Sequence, residues 1–298
     1  MAFGDILAVS FLMQMKGHNG ISPCRCCNIE GVRAAGEDGS SCKVYYVLLD
    51  RLQLPNPRQD ENLSYDPRHL PMRTHEEFIA NADALLSATT LAAWESLAWK
   101  TGIKGRSILL LLSSLSFPKS FPYDFMHFIY ENVLKNLILL WTGKFKDLTM
   151  GICDYILEHM VWEAIGEATA ISSDTIPSAY SARIRNIAGD RSTFTAENYS
   201  FWAVFIAPVL LQNKFIHPEY YHHFVKLVKL IILCLKFDYS AGDVSDIQNG
   251  FVEWVVKYEQ WAKQWYGRIH TNCIQVFTIS TSLLVFLPVH LRYMHCCI

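Results

Sequence analysis

Net charge of either sign is nearly absent from this chain: 26 Lys and Arg face 28 Asp and Glu, leaving −2 over 298 residues. A bulk basic field that would draw nucleic acid nonspecifically is excluded, so any contact with a phosphate backbone has to come from a local patch. Charged residues make up only 18% and hydrophobic ones 51%, which excludes disorder as the main state and leaves enough apolar material for one large domain or two small ones. A Gly-rich phosphate loop and a Gly-x-Ser-x-Gly elbow are also missing, so nucleotide hydrolysis and serine-hydrolase chemistry have no support. No repeat of fixed period and no low-complexity segment is visible. Met1 to Asp5 lacks a basic leader and runs straight into the apolar Ile6–Met13, so the opening reads as the interior of a domain.

What is present begins with nine cysteines, at 24, 26, 27, 42, 153, 234, 273, 296 and 297. Their scatter and odd number argue against a disulfide framework and for a reducing compartment. Cys24-Arg25-Cys26-Cys27 holds a Cys-x-x-Cys pair in a loop rich in Gly, Asn, Ser and Pro, with His18 upstream and Cys42 downstream. Two thiols at that spacing can be directed at one ion by a single turn, which suits tetrahedral zinc. Cys24, Cys27 and His18 are the first candidate ligands and Cys42 or His75 the fourth, against the alternative of free cysteines on a surface loop.

Along the chain, Ile6–Met13 has the length of a buried strand or a short core helix, which periodicity does not separate. Val44–Leu49 reads as a strand and Pro55–Pro71 as an extended connector. Thr74, with Glu77 three residues on, starts a helix carrying Phe78, Ala82, Leu85 and Leu86. Ile108–Phe117 reads as another strand, and the Ile6, Val44 and Ile108 segments are expected to form the remnant of a mixed sheet. A helix from about Asp124 to Trp141, apolar around most of its circumference and stopping at Gly143, is expected to lie at the centre of the fold. Further helices are expected over 197–211, broken near Pro208, over 220–237 and over 244–266. Cys273 to Leu291 is as long as a bilayer span, but its Gln275, Ser and Thr, Pro288 and His290 favour a buried or aberrant tail over a membrane anchor.

Three further constellations bear on chemistry. Asp124 and His127 put a carboxylate and an imidazole at the head of a helix, where an N-cap and a first-turn residue would look the same. Asp5 follows Gly4 at the start of an apolar run, where metal-dependent nucleases place acids and where turns also do. From Lys100 to Lys146, seven basic residues face two acids. Lys100, Lys104, Arg106, Lys119, Lys144 and Lys146 are therefore candidate DNA contacts, with a solvated rim around an apolar helix as the alternative.

Taken in order, Gly4-Asp5-Ile6-Leu7-Ala8, Lys16-Gly17-His18-Asn19, Ser22-Pro23-Cys24-Arg25 with Cys27, Tyr45-Tyr46-Val47, and Phe121-Pro122-Tyr123-Asp124-Phe125-Met126-His127 with Glu131 to Asn136 resemble transposases of the CACTA class. The match is nearest to the Plavaka-like group of mushroom-forming fungi and covers roughly residues 3–266. The resemblance implies an α-rich α/β chain: a partial RNase H-like core over 1–150 with a zinc-knuckle-like insertion at 16–42, a helical region over 151–266, and a divergent apolar tail over 267–298. It implies DNA strand cleavage and transfer at transposon ends with two Mg or Mn ions, a nuclear location with cytoplasm as the alternative, DNA as partner, and self-association left open.

In that frame Asp5 matches the second catalytic aspartate, and Asp124 with His127 matches an Asp-x-x-His signature beside the metals. Glu131, one turn further, is a candidate third acid. His18, Cys24 and Cys27 match the Gly-His and Cys-x-x-Cys positions. The family's first aspartate has no counterpart here, so the expectation is a truncated, catalytically incomplete transposon product. Alternatives are a non-catalytic DNA- or protein-binding remnant with a zinc knuckle, and a helical protein anchored by its tail.

Overall fold

The computed structural model describes residues 4–17, 20–35, 41–46, 64–144, 154–177, 179 and 183–266, with side chains left out for 32–35, 41–46 and 262–266. The chain is helix-rich. Its described strands are β1 (Val32–Ala35) and β2 (Ser41–Tyr46), an antiparallel hairpin with Val32 opposite Tyr46 and an irregularity between Arg33 and Ala35. Two compact units form, one from Met1–Asp124 together with the residues from Val255 on, the other from Phe125–Trp254.

In the first unit the Ile6 run is a helix, α1 (Ile6–Leu12), and not a strand of a mixed sheet. Its burial repeats every four residues: Val9 and Met13 are enclosed while Leu7 and Phe11 stay 73% and 64% exposed. That periodicity belongs to a helix face, whereas a strand would alternate by two. The Ile108 run, also expected to be a strand, is a single 3-10 turn, Ile108–Leu111, in which the Ser107 hydroxyl accepts the Leu109 N–H at 3.1 Å. Between Ile108 and Phe117 the run is only leucine and serine, without the β-branched and aromatic residues that fit a pleated surface. Of the three segments expected in a sheet, only the Val44 one contributes a strand, and its residues 47–49 lie outside the described ones.

α2 (His75–Leu86) begins as its sequence predicts: Thr74 Oγ1 accepts the Glu77 N–H at 3.1 Å and the Glu77 carboxylate accepts the Thr74 N–H at 3.4 Å. It packs beside α3 (Leu91–Thr101). α3 ends at Gly102, whose φ of 72° is left-handed and whose Cα approaches so closely that an added Cβ would lie 2.0 Å from the Ser22 carbonyl oxygen. Only glycine fits there, and the contact seats α3 against the cysteine loop. Val9, Met13, Met15, Phe78, Leu85, Ala98, Ile103, Phe117 and Phe121 form the common core.

In the second unit the central apolar helix turns as a wide π-helix over Met126–Leu134 and tightens into α4 (Lys135–Trp141). The helix begins at Phe125, directly after Asp124. The predicted stop at Gly143 is present: Gly143 and Lys144 donate back to Leu140 and Leu139. α5 (His159–Ser172) follows, then α6 (Ala196–Phe201), a π turn at Trp202–Ile206, and α7 (Ala207–Leu210). The break falls beside Pro208, which has no N–H to offer the preceding turn. α8 (Pro218–Cys234) and α9 (Ala241–Tyr266) complete the helices; α9 contributes its residues up to Trp254 to this unit. Trp202 meets Trp162 edge-on at 6.3 Å and donates its indole N–H to Thr169 Oγ1 at 3.1 Å. Among the described residues no helix is long and apolar enough to cross a membrane; the 273–291 stretch lies outside them.

Candidate functional site: a thiol and guanidinium cluster

Backbone pairing builds the cysteine loop before any side chain acts. Cys27 bridges antiparallel to Met72, Asn28 N–H donates to the Pro71 carbonyl at 2.7 Å, and Arg73 N–H donates to the Cys26 carbonyl at 2.9 Å. Asn28 also donates its side-chain amide to Glu77 at 2.7 Å, tying the loop to the capping box of α2. Arg73 sits almost wholly buried behind the loop. Its guanidinium donates to the carbonyls of Cys24 at 2.9 Å, Cys27 at 3.2 Å and Ser22 at 3.0 Å. Three carbonyls around one fixed fork hold the turn that presents the sulfurs.

Cys24 is half-buried and Cys26 and Cys27 are fully enclosed. Cys24 Sγ accepts the Cys26 N–H at 3.4 Å and lies 3.6 Å from the Tyr123 hydroxyl. The Cys26 and Cys27 thiols donate to it as well, and these bonds, against the opposing effect of burial, hold Cys24 well below the usual thiol range. The same donation raises Cys26, with burial adding to it, while Cys27 is raised first by burial and then by its bond to Cys24. Tyr123 is raised chiefly by burial, so it remains a donor. Arg25, 1% exposed, stacks its guanidinium 3.9 Å over the Tyr123 ring centroid and donates from Nη2 to the Pro122 carbonyl at 2.8 Å. Of the three thiols, Cys24 is thus the one whose hydrogen bonds favour its ionised form.

Cys24 and Cys27 are the two candidate ligands that the fold brings together. His75 is engaged elsewhere: its Nδ1 accepts the Phe117 N–H at 3.0 Å. His18 and the Cys42 side chain lie outside the described residues. Among the described residues no three His, Cys, Asp or Glu side chains are arranged to hold a metal ion. A dication here would also sit beside the Arg25 and Arg73 guanidiniums, so the described donors do not complete a tetrahedral zinc site.

Nor do the catalytic candidates form a metal-holding group among the described residues. Asp5 is exposed and accepts the Leu7 N–H at 3.4 Å as the cap of α1. Asp124 belongs to the first unit. In the second unit His127 Nε2 and Glu131 Oε2 lie 4.0 Å apart as an i,i+4 pair. No step through Mg or Mn is derived from such a set. Among the basic candidates, Lys100 and Lys119 are exposed, Lys104 lies 4.8 Å over the Phe11 ring, and Arg106 is paired with Asp83. Lys144 is exposed in the second unit and Lys146 lies outside the described residues.

Arg25, Cys26, Arg73 and Tyr123 were not among the candidates from sequence. Arg25 and Cys26 lie inside the Cys-x-x-Cys segment, so their proximity could have been read; the approach of Arg73 and Tyr123 depends on tertiary pairing. Elsewhere, an open apolar groove of about 290 Å³ in the second unit is lined by Met160, Val161, Ala164, Ile165, Ala168, Leu210 and Lys214. With a single polar lining residue it offers no convergent chemistry. Compared with known families, curated proteins and solved structures, the chain finds no match.

Proposed function

We propose that the protein is a transposon-derived chain related to CACTA-class, Plavaka-like transposases, which retains a scaffold for holding DNA but not a complete strand-cleaving centre. Support comes from one observation above the rest: two separate motifs of the resemblance, Ser22-Pro23-Cys24-Arg25 and Phe121-Pro122-Tyr123-Asp124, pack on each other through Arg25, Tyr123 and the Pro122 carbonyl. Residues almost a hundred positions apart in sequence recur together in the family pattern and here share one contact. An RNase H-like core, a nuclear location and self-association belong to the same proposal. The acids carry it less well, since Asp5 acts as a helix cap and Glu131 pairs with His127.

The purified chain, incubated with a labelled transposon-end duplex and Mg or Mn, should bind without cutting. Binding should weaken as salt rises, by the release of counterions from phosphates. Lys100→Ala with Lys119→Ala should flatten that salt slope, leaving the circular dichroism spectrum unchanged. Cleavage that Asp5→Ala abolishes would overturn the incomplete-centre part of the proposal, and absence of salt-dependent binding would overturn the DNA part.

A further inference from the structure

Two apolar elements of the first unit turn side chains outward as well as into its core. On α1, Leu7 and Phe11 stand one turn apart on the face opposite Val9 and Met13, and Leu12 beside them is half-exposed. At the 3-10 turn, Leu109 and Leu110 pack towards the core, while Ile108 and Leu111 are 73% and 76% exposed and Leu112 is half-exposed. Residues three apart eclipse in such a turn, so Ile108 and Leu111 stand on one side of it. Direct bonds join the two elements: the Ser107 hydroxyl donates to the Leu12 carbonyl at 2.7 Å, and the Lys104 N–H donates to the Gln14 carbonyl at 2.8 Å. At about 100 Å² of apolar surface per side chain, the six present roughly 600 Å² to water, the upper end of what a monomer exposes as one patch. Neither Ile6–Leu12 nor Ser107–Phe117 contains a charged residue. Charge stands at the rim and differs in sign at the two ends of α1. The exposed Asp5 carboxylate precedes the helix, and Lys104, its Nζ 4.8 Å from the centre of the Phe11 ring, lies past the other end.

We propose that a second copy of the chain docks on this face, about a two-fold axis that sets the two α1 helices antiparallel. Two such faces brought together remove roughly 1,200 Å² from water, which reaches the size of specific interfaces. A centre free of charge with charged groups at its edge is the composition of a homodimer contact. Under two-fold symmetry each contact occurs twice, so the face must be complementary to itself. Antiparallel helices meet that condition, because Asp5 of each copy comes to the Lys104 end of the other. Parallel helices would set like charges side by side. The inference stands apart from the transposase reading, since it uses no contact with DNA and none of the acids as metal ligands.

Sedimentation equilibrium of the full chain, without DNA, is the test. Its mass should move from one chain to two as the concentration rises through the micromolar range. Leu7→Lys with Leu111→Lys changes two side chains that are already exposed, so the circular dichroism spectrum should be unchanged. Self-association of that variant should weaken at least about a hundredfold, because two charges then lie in the apolar centre. Lys104→Glu alone, set against Asp5 of the other copy, should weaken it about tenfold. Mixing the Lys104→Glu chain with an Asp5→Lys chain should restore association as a one-to-one pair, since only the mixture has opposite charges at both rim contacts. A chain that stays single at about 100 μM would overturn the proposal. So would a dimer that Leu7→Lys with Leu111→Lys leaves unchanged, or a single chain that sediments with phosphatidylserine vesicles through the same two leucines. No pairing in the mixture would overturn the antiparallel arrangement.

Discussion

The guanidinium of Arg25 lies 3.9 Å above the centre of the Tyr123 ring, and the hydroxyl of the same tyrosine reaches Cys24 Sγ at 3.6 Å. One side chain therefore serves a cation with its face and a sulfur with its edge. Tyr123→Phe keeps the face and removes the hydroxyl. Its cost in urea unfolding is expected to stay under about 1 kcal/mol, while alkylation of Cys24 slows because one donor to the thiolate is gone. Tyr123→Leu removes the quadrupole as well and leaves the guanidinium over an aliphatic group, which is expected to cost about 2 kcal/mol more. Equal unfolding midpoints for the two variants would show that the ring face does not hold the cation.

Local rules sufficed where both partners of an interaction sit within one turn, as with the Thr74–Glu77 capping box and the stop at Gly143. They also sufficed for α8 and α9, whose long apolar stripes leave little choice of period. They failed at short apolar runs. Ile6–Met13 has too few residues to separate a period of two from one of 3.6, and burial of Val9 and Met13 against Phe78 and Phe117 decides it. The site divided in the same way: Cys24 and Cys27 were visible by spacing, but Arg73 and Tyr123 reach them through backbone pairing with Pro71–Arg73 and through the Pro122 carbonyl. No local pattern encodes contacts across that many residues.

Gly250 in α9 faces Leu230 in α8 so closely that a Cβ added to it would lie 2.4 Å from Leu230 Cδ2. Gly250→Ala gains about 1 kcal/mol of helix propensity and meets an overpacking cost of about 1–3 kcal/mol. The net is expected to be destabilising by about 1 kcal/mol. Pairing it with Leu230→Ala removes the obstructing methyls, so the double variant should be more stable than the sum of the two singles predicts. Strict additivity in a double-mutant cycle by denaturant unfolding would mean that the two helices do not meet at this point.

Trp202 is fully buried, and its indole N–H is held by Thr169 Oγ1, which itself donates to the Ile165 carbonyl at 2.8 Å. Trp202→Phe deletes the donor and leaves a cavity beside Trp162. Loss of about 3 kcal/mol is expected from the two effects together. Thr169→Val should cost less, since it keeps the volume, although the indole N–H then lacks its acceptor. Comparing the unfolding midpoints of both variants checks the order; a larger loss in Thr169→Val would place the weight on the hydrogen bond and not on packing.

Asp243 gives the clearest pH dependence. Lys236 donates to it at 2.6 Å, and the Ser240 N–H and hydroxyl donate at 2.9 and 2.7 Å, so the start of α9 is closed by a charged cap. The lysine bond first, and the serine bonds after it, lower its pKa from 3.8 to about 2. A carboxyl whose folded value lies below its unfolded value binds its proton more readily once unfolded, so its contribution is complete above about pH 4 and disappears as pH falls through about 2. Unfolding midpoints of the protein and of Asp243→Asn should therefore differ most at neutral pH and converge in strong acid. High salt should narrow the gap, because the lysine is half exposed and its charge is screened. A gap that persists unchanged down to the lowest pH at which the protein stays folded would mean that neither the lysine nor the serine bonds favour the ionised carboxylate.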